Sequence, residues 1–387
     1  MAKLLMITGL GSVRDLASGK RGAFYNTLEE FSKYWTRIDI VCPRVKNIDS
    51  GNSKFEILNP KQTLNSKYQT KILFGNVYVH VSTWPLIFHP IWFLKKGFEI
   101  YKEQKFDLMT VHDFPPFYNG LGASLLEKFI KVPYILEIFH IPGYPRAAST
   151  KESIYKFLFK SFIRFDASGA KAVRVMNQNQ VPEFLIKTGV PKEKIIYIPA
   201  IYIDTDVFKP TGLQKQYDLI FIGRLERNKG IDLFLETVRK TRSRALIVGV
   251  GSLYDEIKFK IQNSKFDITL YGWARDSQEI AELLNKSKIL VMPSYNEGGP
   301  RVVVEALACG VPVLATPVGI VPDLLKNGLG GDIVAWSADD IAQRIQGLLN
   351  DSARYHKYSQ NGPEIAKQFE KKEAIGNYAD KLKELIN

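Results

Sequence analysis

Cysteine is almost missing. The 387-residue chain has two, Cys42 and Cys309, and only five histidines. Thiols this few and this far apart build no disulfide framework, and with the histidines scattered no metal-binding spacing is spelled out. The pattern fits a reducing compartment, and a cytoplasmic protein is the expectation. Long apolar runs are missing as well: no stretch approaches the roughly 18 uninterrupted apolar residues of a spanning helix. The opening MAKLLMITGLGS has one lysine and too short an apolar run for a secretory leader, and reads as a first buried strand ending at Gly9. Repeats and low-complexity segments are also lacking.

What is present is an ordinary globular composition, 45% apolar and 12% aromatic, at a length typical of two domains. The net charge of +13 is unevenly spread. Residues 1–200 hold 28 Lys+Arg against 16 Asp+Glu, whereas residues 201–387 hold 25 against 24. A basic half beside a neutral half suggests an acidic partner for the first and separate work for the second.

Short β-branched runs alternate with helical stretches throughout. KLLMIT, TRIDIVC, NVYVHV, DLMTV, YILEIF, AVRVM and KIIYI fill the first half, and YDLIFIG, RALIVG, FDITLYG, KILVMPS and VPVLAT the second. Strands separated by helices mean parallel sheets with crossovers, so the expected class is α/β, two doubly wound, Rossmann-like domains. Ile198–Pro210 interrupts the pattern where the charge balance changes, and the hinge is placed there, giving domains 1–203 and 204–364. Ligands bind at the strand C-terminal edges of such sheets, and two facing edges make an interdomain cleft. The stretch Ile365–Ile386 reads as one last helix with Ile375, Tyr378, Leu382 and Leu385 on a single face.

The most informative segment is NEGGPRVVVEALACG, Asn296–Gly310. Pro300 suits the first turn of a helix that ends before Gly310. The free N–H groups of that turn favour phosphate, and Gly298 and Gly299 let a ligand approach the backbone. Glu297 in the loop and Glu305 about five residues into the helix bracket this anion site. Carboxylates accept hydrogen bonds from hydroxyls, so the arrangement suits a molecule with hydroxyls on both sides of a diphosphate, such as a nucleotide sugar.

SYNEGGPRVVVEALACGVPVLAT resembles the E-x7-E signature of family 4 glycosyltransferases, which have the GT-B fold. FIGRLERNKGIDLFLETV is similar to that family's G-R-L-x-x-x-K-G segment, IVGVGSLYDEI to its G-x-G turn, and YGWARDSQEIAELLNKSKILVMPS to the elements before the signature. These segments span most of Tyr217–Asp332 in the family's order; over residues 1–200 the likeness is carried by TVHDFPP and the opening strand and loop. The resemblance implies a retaining transferase moving a sugar from a nucleoside-diphosphate donor, UDP or GDP, to a hydroxyl acceptor, with no metal and with the last helix crossing back onto the first domain.

By that resemblance Arg224 and Lys229 hold the diphosphate, a role two cations after a strand end can fill by neutralising the leaving group. Arg227 between them reads as solvated. Glu305 is implied for the ribose hydroxyls and Glu297 for the transferred sugar. The backbone from Gly298 through Gly299, Pro300 and Arg301 to Val302 is implied for the phosphates, and Gly272–Trp273 for the base, largely through backbone contacts, with core filling the other reading of the Trp273 ring. His112 is the leading candidate of the first domain for touching the donor sugar, with Asp113 to orient it or act alone, and His140 on the acceptor side. Gly19, Lys20, Arg21 and Gly22 stand where the family has adjacent glycines, and Pro199-Ala200-Ile201 where it has Pro-Asn-Gly. Arg14 replaces the third glycine of a dinucleotide fingerprint, which counts against a nicotinamide site. Asp204-Thr205-Asp206 spells D-x-D in the hinge rather than at a strand end, and no metal role is assigned to it.

Trp84–Phe106 mixes Trp84, Trp92, Phe93 and Phe98 with Lys95, Lys96 and Lys102. It reads as a core helix with a lysine face or as a segment resting on an anionic membrane. The second reading goes with a lipid-linked glycan acceptor; a small-molecule acceptor is the other class. A nucleotide-sugar epimerase of the same architecture is the rival activity. A nucleic-acid-binding protein would explain the basic half, but no aromatic-basic recognition motif accompanies it.

Overall fold

The computed structural model describes residues 2–9, 16, 23–44, 70–115 and 117–386. The strands β1 (Lys3–Ile7), β2 (Arg37–Cys42), β3 (Thr70–Leu73), β4 (Val77–Val81), β5 (Leu108–His112), β6 (Tyr134–Ile138), β7 (Ala172–Val175) and β8 (Ile195–Tyr197) form one sheet, ordered β3-β4-β2-β1-β5-β6-β7-β8. A second sheet contains β9 (Tyr217–Ile222), β10 (Ala245–Val248), β11 (Ile268–Gly272), β12 (Ser287–Met292), β13 (Val313–Ala315) and β14 (Gly331–Ile333), ordered β11-β10-β9-β12-β13-β14. Every pairing in the second sheet is parallel. The strand order reverses between β1 and β5 and again between β9 and β12, and such reversals open a crevice at the carboxyl ends of the strands.

All twelve strands expected from β-branched runs are present, because strands covered by helices on both faces must be apolar along their whole length. Two more were not anticipated. β3 pairs antiparallel with β4, the one departure from parallel order in its sheet, and joins it through Phe74 (φ 52°) and Gly75 (φ 81°). β14 has only three residues. Helix limits follow local chemistry: Ser277–Asn285 begins where the Asp276 carboxylate accepts from the Glu279 N–H at 2.9 Å, and Arg301–Ala308 ends before Gly310 (φ 66°).

The single helix expected over Ile365–Ile386 is in fact broken. Ser352–Ala366 ends in a tight turn, Lys367–Phe369, and a new helix, Lys371–Glu384, starts where the Glu370 carboxylate accepts from the Glu373 N–H. Burial of Phe369 in the core of the second sheet fixes the break. The Ile203 N–H donates to Phe369 O and the Lys371 N–H donates to Ile203 O, each at 2.9 Å, so the two chain crossings run side by side. Beyond them, Ile375, Tyr378, Ala379 and Leu382 pack with Leu4 and Ile38 of the first sheet and with Leu28 and Phe31 of the helix Ala23–Phe31.

A buried ionic group ties this helix down. The Arg174 guanidinium donates to Glu137 at 2.6 Å and to the Ile198 and Pro199 carbonyls at 3.0 Å, and stacks 3.7 Å above the Tyr378 ring. The Tyr378 hydroxyl donates to the same Glu137 oxygen at 2.8 Å. Each buried polar atom of the group thus gains a partner, as a charge removed from water requires. Among the described residues no helix is long and apolar enough to cross a membrane.

Candidate active site

The turn after β12 and the turn after β9 meet at their strand ends. The Tyr295 N–H donates to Asn228 O at 2.8 Å, which lays Arg227–Lys229 alongside Asn296–Pro300. Lys229 and Glu297 consequently form an ion pair, and the Ser294 hydroxyl donates to the same carboxylate oxygen at 3.1 Å. Pro300 sits one position before the first helical residue rather than inside the first turn, with Arg301 and Val302 beginning the helix. The Val303 N–H donates to Pro300 O at 3.1 Å, while the Arg301 and Val302 amides precede any acceptor in the helix and lie at the carboxyl edge of the sheet.

Two cavities adjoin this ion pair. One, of about 260 Å³, lies over β9 and β12 and is lined by Gly223, Lys229, Glu297, Pro300, Arg301 and Val302. The other, of about 330 Å³, lies between the sheets, with Arg224, Lys229, Glu297 and Gly298 on one side and Phe139 and His140 on the other. Arg224 is exposed there, and Arg227 is exposed outside it. The three side chains Arg224, Lys229 and Glu297 therefore share one pocket. Gly230 (φ 70°) brings the β9 loop against the Pro293 carbonyl, an approach that a side chain would block.

His140 spans the cleft, its Nε2 lying 3.0 Å from Asn296 Oδ1. Asn296 in turn donates to Arg146 O at 3.0 Å and Glu152 at 2.9 Å, all from the first lobe. Burial lowers the proton affinity of His140. His112 closes the end of β5 and lines a third, mainly apolar cavity of about 260 Å³ with Met6, Phe31, Phe139, Arg174 and Arg301. Burial pulls its pKa down to about 4, so the ring is neutral near pH 7 and offers a lone pair. The absence of a side chain at Gly9 makes room for this ring.

Four placements correct or limit the sequence reading. Asp113 does not orient His112. It lies buried beneath the start of the helix Asn119–Ile130, accepts from the Asn119 N–H at 3.3 Å and faces Asp166. Glu305 is buried, and its Oε1 lies 2.7 Å from Arg301 Nε one turn away; burial raises its proton affinity against the pull of Arg301. Trp273 is 68% exposed just after Gly272 (φ 83°), so its ring fills no core. Gly19, Lys20, Arg21 and Gly22 lie outside the described residues. Of the hinge carboxylates, Asp204 accepts from the Asp206 N–H at 3.0 Å and caps the turn. Asn296 and Ser294 were not singled out as site residues, although both fall in the quoted signature.

Asp113 and Asp166 each have their proton affinity raised, first by burial, and two facing carboxyls in such a place retain a proton between them. Their folded pKa values lie above the ordinary value near ~4, so the folded chain binds more protons than the unfolded one and stability falls as pH rises. Denaturant titrations between about pH 5 and pH 9 should show unfolding free energy dropping by up to about 1.4 kcal/mol per pH unit for each proton retained. Asp166→Asn, which mimics the protonated form, should flatten that slope. An unaltered slope in the variant would assign the pH dependence elsewhere.

With this geometry established, the fold and the enzyme class can be stated: the chain is a glycosyltransferase of the GT-B architecture, two parallel-stranded lobes enclosing a cleft. Residues 203–365 match the sequence model of the family described as "Glycosyl transferases group 1". An uncharacterized glycosyltransferase of Methanocaldococcus jannaschii is 27% identical over 340 residues, 86% of this chain and 89% of that protein. The N,N'-diacetylbacillosaminyl-diphospho-undecaprenol alpha-1,3-N-acetylgalactosaminyltransferase of Campylobacter jejuni is 24% identical over 274 residues, 65% and 70% of the two chains. Among solved structures, sucrose-phosphate synthase from Thermosynechococcus elongatus superposes with a TM-score of 0.76 at 17% identity, over 100% of this chain and 99% of the other. Anabaena HepE, solved with UDP and glucose, gives 0.71 at 17% identity over 99% and 100%.

Proposed function

We propose that the protein transfers a glycosyl group, with retention of configuration and without a metal ion, from a UDP- or GDP-sugar to a hydroxyl of a lipid-linked glycan or another cell-envelope acceptor. The observation carrying this reading is the pocket that brings Arg224, Lys229 and Glu297 to the helix start at Arg301, with Phe139 and His140 facing it from the other lobe. Arg224, Lys229 and the first-turn amides neutralise the diphosphate as it leaves. Glu297 accepts from hydroxyls of the transferred sugar, and Glu305 takes the ribose once the Arg301 side chain swings aside. Neutral His112 accepts from a hydroxyl of the donor sugar and helps seat the acceptor. The leaving phosphate oxygen takes the acceptor proton, so positioning supplies much of the rate. HepE holding UDP and the C. jejuni transferase named for an undecaprenol-linked substrate support this choice of donor and acceptor classes.

Thermal unfolding with UDP-, GDP- and ADP-sugars tests the donor. A nucleotide that binds only the folded chain stabilises it by about 2.7 kcal/mol at a hundredfold excess over Kd, a shift of a few degrees. The expected result is a shift for one base, persisting in EDTA. No shift for any of them would overturn the reading, and conversion of the donor to an isomeric sugar nucleotide without acceptor would replace it with an epimerase.

A further inference from the structure

Asn296 is fully buried, and every partner of its side chain lies in the opposite lobe. Its Nδ2 donates to the Arg146 carbonyl at 3.0 Å and to Glu152 Oε2 at 2.9 Å. Both acceptors are themselves held. The same Glu152 oxygen accepts from the Ala148 N–H at 2.7 Å, and the Arg146 N–H donates to Tyr295 O at 3.3 Å. The Arg146 guanidinium lies over the Tyr295 and Trp336 rings, 5.3 and 5.6 Å from their centres. A carbonyl and a carboxylate can only accept, so the end of the amide that faces them is its nitrogen, with both hydrogens engaged. The other end is then fixed as well: Oδ1 faces His140 Nε2 at 3.0 Å. An oxygen lone pair at that position requires a hydrogen on Nε2.

Burial, with Lys229 nearby, lowers the proton affinity of His140 against the pull of Glu297, Asn296 and Glu152, so the ring is neutral near pH 7. A neutral imidazole carries one N–H. With Nε2 holding it, Nδ1 is left as an acceptor, on a ring that lines the pocket shared by Arg224, Lys229 and Glu297. The residue type at 296 is specific to this task. An aspartate would set a carboxylate against Glu152, and a leucine would leave His140, Arg146 O and Glu152 without their partner. Because Asn296 follows β12 and His140 follows β6, the contact forms only when the lobes meet. With the lobes apart, the ring is free to turn and to exchange tautomers.

We propose that Asn296 is a positioning residue: across the closed cleft it holds His140 as the Nε2–H tautomer and so presents the Nδ1 lone pair to a sugar hydroxyl in the pocket. Closure and the seating of that hydroxyl thereby become one event. The hydroxyl contact rests on the glycosyl-transfer reading, whereas the tautomer does not. Nitrogen-15 NMR of ring-labelled histidine reads the tautomer directly, and five histidines can be assigned by single substitutions. At pH 7 the parent chain should show His140 with Nε2 protonated, Nδ1 bare and the Nε2 hydrogen slow to exchange; Asn296→Ala should lose the slow exchange. With the UDP- or GDP-sugar that shifts the melting temperature, Asn296→Ala should lower kcat by about tenfold to a hundredfold while the donor-induced shift persists. In a His140→Ala background the same substitution should cost nothing further, since it acts through that ring. A parent His140 that is cationic or protonated at Nδ1, or losses that multiply in the double variant, would overturn the proposal, and the parent spectrum decides even if a variant fails to fold. Absence of a thermal shift with every sugar nucleotide overturns the transfer reading and with it the hydroxyl contact, while the tautomer is judged on the spectrum alone.

Discussion

Replacing Lys229 or Glu297 by alanine should lower kcat/KM for glycosyl transfer by a factor of about a thousand or more, with the fold intact. The size follows from the site: removing one preorganised group that meets developing charge costs about 10²–10³ in rate, and here the lost group also balances its partner. The ion pair makes the two losses differ. In Lys229→Ala, the Glu297 carboxylate stays beside the pocket with its counter-ion gone and repels the diphosphate, so the donor KM rises along with the fall in kcat. In Glu297→Ala, Lys229 is freed to meet phosphate, so donor binding holds or tightens while kcat collapses. Steady-state kinetics against donor concentration reads the difference. Since both side chains keep some access to solvent, melting temperature should move little. Unchanged turnover in either variant would remove these residues from the reaction.

Gly298→Ala should cost at least about a hundredfold in activity through geometry alone. Gly298 has no strained backbone angle, yet a methyl on it would overlap the carbonyl oxygen of Phe139 in the other lobe. That contact exists only when the lobes meet. The substitution is harmless to each lobe's core, so the melting temperature should hold, while small-angle scattering should report a larger radius of gyration than for the parent chain. Displacement of the reacting groups by an ångström is enough for such a loss. Full activity with unchanged scattering would show that the lobes need not approach this closely for transfer.

Legibility in the sequence followed the range of the forces involved. Strand runs such as KILVMPS and VPVLAT announced themselves, because a strand covered on both faces has to be apolar throughout. The NEGGP turn was readable for a different reason: glycines and a helix start are local facts, and they place Glu297 beside an anion site without knowledge of anything distant. The antiparallel β3, TKIL, and β14, GDI, lack the continuous β-branched or apolar run that marked strands as short as β8 and β13. The break at Lys367–Phe369 was hidden in helical spacing, since it is the distant core of the second sheet that takes Phe369.

Side-chain pairing was the part that resisted. His112 and Asp113 are neighbours in the chain, but successive residues at a strand end point to opposite sides, so one faces the cleft and the other goes under a helix to meet Asp166. Trp273 carries a large ring that composition would place inside, and it stands in solvent.

By itself the sequence determined the two sheets, the position of the phosphate turn and the residue types around it, because backbone preference and hydrophobic period act over a few residues. Only the tertiary structure decided that Lys229 pairs with Glu297 and that His140 reaches Asn296 across the cleft. Those meetings depend on which strands lie adjacent at the two switch points, a property of sheet order that no short stretch of residues contains.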